Sequence, residues 1–600
     1  ITNEELKDEG VSFIKAISKK GNNASKKGIE KRKALPYNCV VENSDNVISE
    51  VIMKKSIFKR ILSSVMAFAA AVTMVSCGSK GGSTESKNGN SANTTDEGKT
   101  KLVVFTYKAG YGDEWLKSLA ASFEKAYADY QFEEGKKGVS VEVRGDMRGF
   151  TTAQMKESIY DVFFFENEAY YNFLDGTLED LSSIVNAKAG AGDSLTVLEK
   201  LDSQQTDYYG VKENGKTSYY GLPSYIGNYG IIYNIDLFDK KGYYLAADRT
   251  NGVIIGADKN AKRTNGPDGK YGTEDDGLPA TYDEFFDLCA EIYNNSDLPI
   301  CWPGKYRQHH LGNLLDNLVS DYEGVEQMRL NYTFDGTAKD LVVLDANGKV
   351  KKNANGTPVT EEKAITAANG YDVARQAGKL YGMEFIEKLM SNSKYYNDGA
   401  FVDSFTHTDN QELFLMNGTE LSETRKTTAM LIDGPWWMAE SAGVFEAMAK
   451  EDEKYSEKNR NFGWMPLPKA TADKVGSKNV FSDYLNAFVC VKSGLADGVK
   501  KAALELVKYS CTDEMLRDFT RVTGTVKGYK YDMTKEDMAE LSTFSKSVIS
   551  AVKKSDVVYK FSSDSFYNSH LANLAYDVVY STKVGGNTYK NRSEERRVGK

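Results

Sequence analysis

From residue 100 onward, short apolar runs alternate with longer amphipathic stretches. Leu102-Val-Val-Phe105 is apolar without polar alternation, as a buried parallel strand requires. After the turn Tyr107 to Gly112, apolar residues recur at Trp115, Leu119, Phe123 and Tyr127, predicting one face of a helix capped by Asp113. Val139, Val141 and Val143 alternate with polar residues and predict a second strand. Asp161-Val-Phe-Phe-Phe165 predicts a third, fully buried one. This rhythm of strand, helix and strand predicts an α/β fold with right-handed crossovers. Strand patterns return at 229–233, 428–432 and 486–491, with helical patterns at 281–293, 371–390 and 500–509. Asp345-Ala-Asn-Gly348 and Asn353-Ala-Asn-Gly356 predict surface hairpin turns, and the Gly/Asn/Asp-rich stretch 246–278 is a second insertion.

Both ends differ from this pattern. Met53-Lys54-Lys55 opens a basic segment that holds Lys59 and Arg60, and an apolar run, Val65 to Val75, leads to Ser76-Cys77. Basic head, short apolar middle and a small residue before the cut predict a secretory signal over 53–76. The run is too short for a membrane span. A cysteine after the small residue resembles the bacterial lipobox, which implies acylation of Cys77; Met74 and Ser76 depart from its usual residues. An ordinary signal with an incidental cysteine is the alternative. Residues 1–52 are Lys- and Asn-rich with no apolar period and are set apart as an upstream extension, expected to be disordered. Residues 77–99 predict a flexible Gly/Ser/Asn linker. Residues 592–600, charged at six of nine positions, predict a tail or scar.

About five hundred residues remain, enough for two lobes that each bury a core. A formal net charge of −9 argues against a nucleic-acid partner. Cys289, Cys301, Cys490 and Cys511 have no CxxC spacing; a 289–301 bridge is the alternative to four buried thiols. Four histidines without HExxH or zinc spacing offer no metal tetrad. Tyrosine, at 37 residues against 27 Phe, is in excess, which suits a water-facing cleft more than a dry core.

One run, Ala429-Met-Leu-Ile-Asp-Gly-Pro-Trp-Trp437, resembles the extracellular solute-binding proteins of sugar ABC transporters, the group that contains maltose-binding protein. Phe105 to Glu124, Tyr160 to Leu181, Gly221-Leu-Pro to Phe238, Leu278 to Phe285, Asn461-Phe-Gly to Pro468 and Thr523-Gly524 agree in order and spacing. The resemblance covers about 100 to 590. It implies a two-lobed, type II periplasmic-binding-protein-like α/β fold whose discontinuous lobes are joined by crossing strands. Carried over, lobe 1 takes 100–228 and 470–527, and lobe 2 takes 229–469 and 528–591. The first crossing is expected near Tyr225 to Tyr233 and the second near Pro468 to Phe481. Hinges of this kind close the lobes on a solute.

A sugar offers a rim of hydroxyls and a face of C–H bonds, so its site needs flat aromatics beside carboxylates, amides or lysines. The resemblance makes Trp436 the stacking platform, extended by Trp437. Burying roughly 150–250 Å² of one Trp is worth about 4–6 kcal/mol before the costs of ordering and closure. One of the two tryptophans belonging to the core is the alternative. Phe165, Glu166 and Glu168 follow the third strand, whose C-terminal end opens to the crevice in α/β sheets. Lys108 and Tyr111 leave the first strand into the same crevice, and Tyr225 lies on the first crossing. Trp302 and Tyr306 replace an aromatic-and-acid segment of the second lobe but bring no carboxylate. Asp483, with Tyr484, follows the second crossing; Phe566 and Tyr567 are weaker candidates. Asp268, Asp275 and Asp276, in a glycine-rich loop, are loosely like a Ca²⁺ site without EF-hand spacing; a plain polar turn is the alternative.

The expected function is capture of a carbohydrate, an oligosaccharide above all, by a monomeric lipoprotein. It would be exported, lipid-anchored on the outer face of the bacterial membrane, and would deliver its solute to an ABC permease without catalysis or a required cofactor. A polyamine or peptide binder is the runner-up. A surface glycosidase is less favoured, because Glu166 and Glu168 sit side by side and cannot flank a glycosidic bond.

Overall fold

The computed structural model describes residues 98–559 except 109, 147, 167 and 169, together with 579, 583–584 and 587–588. The expected signal segment, Cys77, Phe566, Tyr567 and the charged tail lie outside the described residues. The main strands, in chain order, begin with β1 (Thr100–Tyr107), β2 (Val139–Asp146), β3 (Val162–Phe165) and β4 (Leu222–Pro223). The next four are β5 (Gly230–Asn234), β6 (Leu298–Cys301), β7 (Thr428–Asp433) and β8 (Phe462–Met465). The last three are β9 (Val480–Ser482), β10 (Phe488–Val491) and β11 (Asp556–Val558).

Two mixed sheets form. The first has the order β2-β1-β3-β10-β4, and the second β8-β5-β7-β6. Strands β1, β2 and β3 run parallel, as the unalternated apolar runs of β1 and β3 require, β2 alternating because it is the edge strand, and Phe163, Phe164 and Phe165 are all buried. Where the expected parallel rhythm fails, the chain is arriving from the other lobe: β10 enters across the hinge and pairs antiparallel with β3 and β4. In the second sheet β5 is antiparallel to both its neighbours. Each sheet has its own core, one around Phe105, Phe165 and Phe488, the other around Phe238, Phe285 and Met430. The four cysteines are buried free thiols.

Most expected elements appear with shifted ends. The first helix, α1 (Glu114–Ala126), follows Asp113, which makes no capping hydrogen bond but pairs with Lys108 and Lys117. Thr281 caps α2 (Tyr282–Asn294) by accepting from the Glu284 N–H. The longest helix, α3 (Arg307–Thr333), has no clean amphipathic period and bends at Gly324 (φ 73°, ψ 169°). Both hairpin turns form, with Gly348 N–H donating to Asp345 O and Gly356 N–H to Asn353 O.

The lobe boundaries need correction. Residues 470–482 belong with lobe 2, because Val480 and Phe481 sit in its core and Lys469 is buried against Asp321 of α3 at 2.9 Å. Asp321 also accepts from Asn479 Nδ2 and the Val480 N–H. The second crossing therefore runs through Asp483–Ala487. Lobe 1 extends past 527, since Tyr529 donates to Pro223 O and the Lys530 N–H to Lys200 O. The crossings are bonded to each other: Tyr484 N–H and Leu485 N–H share Gly227 O, and Asp483 N–H donates to Val558 O.

Candidate functional site

The site is assembled where strand ends from both sheets meet the crossings. From lobe 1, β1 runs out into Tyr107, Lys108, Gly110 and Tyr111, and β3 into Glu166 and Glu168. From lobe 2, β7 ends at Asp433 and the Gly434-Pro435 turn delivers Trp436. Tyr225 and Tyr229 lie on the first crossing and Tyr484 on the second.

Trp436 sits at the centre, only 6% exposed. Its ring meets Tyr229 at 5.1 Å, Tyr484 at 5.9 Å and lobe 1's Tyr111 at 6.4 Å between centroids. Two glycines outside its own turn make room for it. A Cβ on Gly110 would lie 3.1 Å from Trp436 Cβ, and one on Gly227 would lie 3.1 Å from Trp436 Cζ3 and 2.3 Å from Leu485 Cδ1. Tyr225 stacks on Phe519 at 5.4 Å and crosses Tyr111 edge-on. Tyr484 hydrogen-bonds His309 at the outer edge. The two lobes thus shield one another's aromatic surface in a closed cleft.

Glu166 is buried and receives the Tyr225 hydroxyl's hydrogen bond. Loss of water, followed by the fields of Glu440 and Asp483, pushes its carboxyl up from 4.5 to about 8, and the Tyr225 bond opposes this. Glu168 turns the other way and accepts from the Phe150 N–H at 3.2 Å; desolvation raises it as well. Across the cleft, Asp433 and Glu440 share one amide: Gln411 Nε2 donates to Asp433 at 3.0 Å and to Glu440 at 2.8 Å. Burial first, and then Glu440's charge, raises Asp433; burial raises Glu440. The Trp436 side chain also hydrogen-bonds Asp433. Flat faces beside buried acids can stack a ring and exchange hydrogen bonds with its substituents.

Of the residues named from sequence, Tyr111, Glu166, Tyr225 and Trp436 converge here. Several others do not. Trp437 is wholly buried among Phe414, Phe445, Phe462 and Phe544 in lobe 2, because the helical turn that starts there sends successive side chains apart. Trp302 is also core, ringed by Tyr396 and Phe401, with its indole N–H on Ala400 O. Phe165 packs between Phe173 and Phe488, since a residue inside β3 faces a sheet layer rather than the crevice. Tyr306 is 36% exposed at the start of α3, with its ring beside His407. Lys108 is spent on Asp113 at 3.1 Å. Asp483 accepts from the Gly227 N–H and so ties the crossings together.

In the Gly266–Gly277 loop, Asp275 accepts from the Asp268 N–H, Asp268 from the Lys270 N–H and Asp276 from the Gly272 N–H. Its carboxylates organise the loop's own backbone. Among the described residues no group of three or more His, Cys, Asp or Glu is placed to hold a metal ion. A cavity of about 1480 Å³ lies elsewhere, lined by Lys200, Gln205, Glu323, Lys478 and Lys527 and touching the first crossing at Ile226. Its walls mix these charged residues with Tyr322, Tyr529, Tyr531 and Tyr559.

Tyr229, Gln411, Asp433, Glu440 and the two glycines escaped the sequence reading. Asp433 lay inside the quoted Ala429–Trp437 run, four residues after its start, and its position at a strand end was the available signal. Gln411 comes from a separate helix, α5 if counted with α4 (Ala377–Ser391), spanning His407–Met416, and only the fold brings it there.

No curated protein matches the sequence. Among solved structures, a chitin oligosaccharide binding protein is similar at 16% identity and a TM-score of 0.48, over 84% of this chain and 98% of its own. RafE in complex with raffinose is similar at 13% identity and 0.47, over 80% and 97%. A substrate-binding protein from Listeria monocytogenes in complex with cycloalternan is similar at 14% and 0.44, over 84% and 98%. The sequence profile of bacterial extracellular solute-binding proteins matches residues 119–528, from inside α1 to just past the Tyr225–Lys527 bridge, and takes in Glu166, Tyr225, Asp433, Trp436 and Tyr484. The chain belongs to the bacterial extracellular solute-binding protein family.

Proposed function

We propose that this chain captures a carbohydrate, an oligosaccharide above all, between its lobes and delivers it to the permease of an ABC importer. The observation that carries the reading is the meeting at Trp436 of aromatic faces and buried acids drawn from both lobes. A pyranose has the same two-sided chemistry, with C–H bonds on its face and hydroxyls on its rim. Opening at the 225–229 and 483–487 crossings would bare those rings, and a stacked sugar would favour closure. Glu166 and Glu168, bonded to Tyr225 and to the Phe150 N–H, diverge, which disfavours a glycosidase.

We further propose a monomer held on the outer membrane face through acylated Cys77, with the Gly/Ser/Asn stretch as its tether. Replacing Cys77 with Ser should shift the protein from the membrane to the soluble fraction. Titrating the intrinsic tryptophan fluorescence with a panel of oligosaccharides tests the carbohydrate reading. Saturable quenching by a sugar is expected. A response to peptides alone would refute it.

A further inference from the structure

One face of α3 carries a polar stripe at four-residue spacing, His309, Asn313, Asn317 and Asp321, whose side chains stand one above another along the helix. The inner members are stitched to the crossings. Asn317 is 1% exposed; its Nδ2 donates to Tyr229 O of the first crossing at 2.7 Å. Its Oδ1 accepts the Ser482 N–H, at the approach to the second crossing, at 2.8 Å. Asp321 accepts the Val480 N–H at 3.2 Å. Asn313 stays within the helix and donates to His309 O at 2.7 Å. His309, the outermost member, is exposed and reaches the second crossing, where its Nε2 and the Tyr484 hydroxyl share a hydrogen bond. Among the described residues His309 is that hydroxyl's one hydrogen-bond partner.

The contact matters through Tyr484. Its ring lies 5.0 Å from His309, 5.1 Å from Tyr229 and 5.9 Å from Trp436 between centroids. Tyr229 and Tyr111 meet Trp436 edge to face, at 84° and 87°, whereas Tyr484 is tilted by 41° and is the nearest of the three to parallel with the indole. The Tyr484 backbone is held by its N–H on Gly227 O, but the half-buried side chain keeps two rotatable bonds that the backbone does not fix. A solute ring stacking on Trp436 would have to order Tyr484 as well, at a cost in affinity, unless another group orders it beforehand. We infer that His309 is a positioning residue of the cleft: anchored on the polar stripe of α3, it pre-sets the Tyr484 ring beside Trp436, so that the solute meets a two-ring corner of fixed shape. An imidazole suits this place, because its ring nitrogens can donate or accept and its flat ring packs against Tyr229, 5.5 Å away at 87°. The inference rests on the carbohydrate reading of this same cleft and deepens it.

A double-mutant cycle on the full chain tests it, read by calorimetric titration with malto-oligosaccharides, cello-oligosaccharides and N-acetylglucosamine oligomers. His309→Ala should weaken whichever sugar the native chain binds by about fivefold, and the same change in a Tyr484→Phe background should cost nothing further. His309→Gln, which can still bond the hydroxyl, should recover most of the loss. Melting temperatures should stay native, because the bond lies at an exposed edge. A second measurement needs no sugar: acrylamide quenching of tryptophan emission should rise in His309→Ala, and Trp436→Phe should remove the rise. Native affinity in His309→Ala would overturn the inference and leave the carbohydrate reading standing. Losses that add in the double variant, or a parallel fall in melting temperature, would reduce His309 to a structural residue and overturn it equally. No heat from any sugar on the native chain would count against the carbohydrate reading and leave the quenching to decide His309, with an unchanged value overturning its role.

Discussion

Trp436 and Trp437 are neighbours in sequence with opposite roles. Trp437 fills the lobe 2 core between Phe414, Phe462 and Phe544, so Trp437→Ala should cost about 3–5 kcal/mol in a denaturant melt. Trp436 is covered mainly by the other lobe and the crossings, so Trp436→Ala should cost less than half as much yet abolish solute-dependent quenching. Equal losses of stability would contradict this division. Glu166 gives a pH signature. Its folded carboxyl lies at about 8, above the unfolded 4.5, so its contribution to the closed state is complete below 4.5 and is lost as pH rises through 8. Thermal melts from pH 5 to pH 9 should show a decline that Glu166→Gln flattens; an unchanged slope in the variant would exclude the residue as its source.

At the scale of elements, the backbone at two glycines makes opposite demands. Gly324 bends α3 with φ 73° and ψ 169°, a conformation nearly reserved for glycine, and a Cβ there would touch nothing within 4 Å. The cost of Gly324→Ala is therefore backbone strain alone, about 1–3 kcal/mol. Gly443, in the helix Ala442–Glu451, is equally open but helical, so Gly443→Ala should stabilise by up to about 1 kcal/mol. Chemical denaturation of the two variants checks both signs. Strand runs such as Val162–Phe165 were legible because an apolar tetrapeptide has few other places to go. The long helix α3 was not, since it is buried on several sides: Leu311, Asp316, Asn317 and Ser320 are all shielded, and its polar residues are satisfied by tertiary partners such as Ser482 N–H on Asn317 Oδ1.

For the whole molecule, the crossings decide whether the lobes can meet. Gly227 passes between Leu485 and Trp436, accepts two backbone hydrogen bonds from the second crossing and donates one to Asp483. Gly227→Ala would drive a methyl group to 2.3 Å from Leu485 Cδ1, at the pivot itself. Solution scattering of the native chain should contract when a bound sugar is added. The variant should keep the sugar-free envelope while each lobe retains its circular dichroism. Contraction in the variant equal to that of the native chain would exclude Gly227 as a closure element.

The sequence by itself determined what local forces set. Apolar runs placed the buried strands, glycines placed the hairpin turns, and the ordered motifs pointed to two lobes and to Trp436. Only the tertiary structure decided what depends on contacts between distant segments. It sent Trp437, Trp302 and Phe165 into cores, moved the second crossing to Asp483–Ala487, and set Gln411 between Asp433 and Glu440. The reason is physical. A side chain's partner across a cleft is fixed by how two separately folded lobes pack, and no period of 2 or 3.6 residues along the chain carries that information.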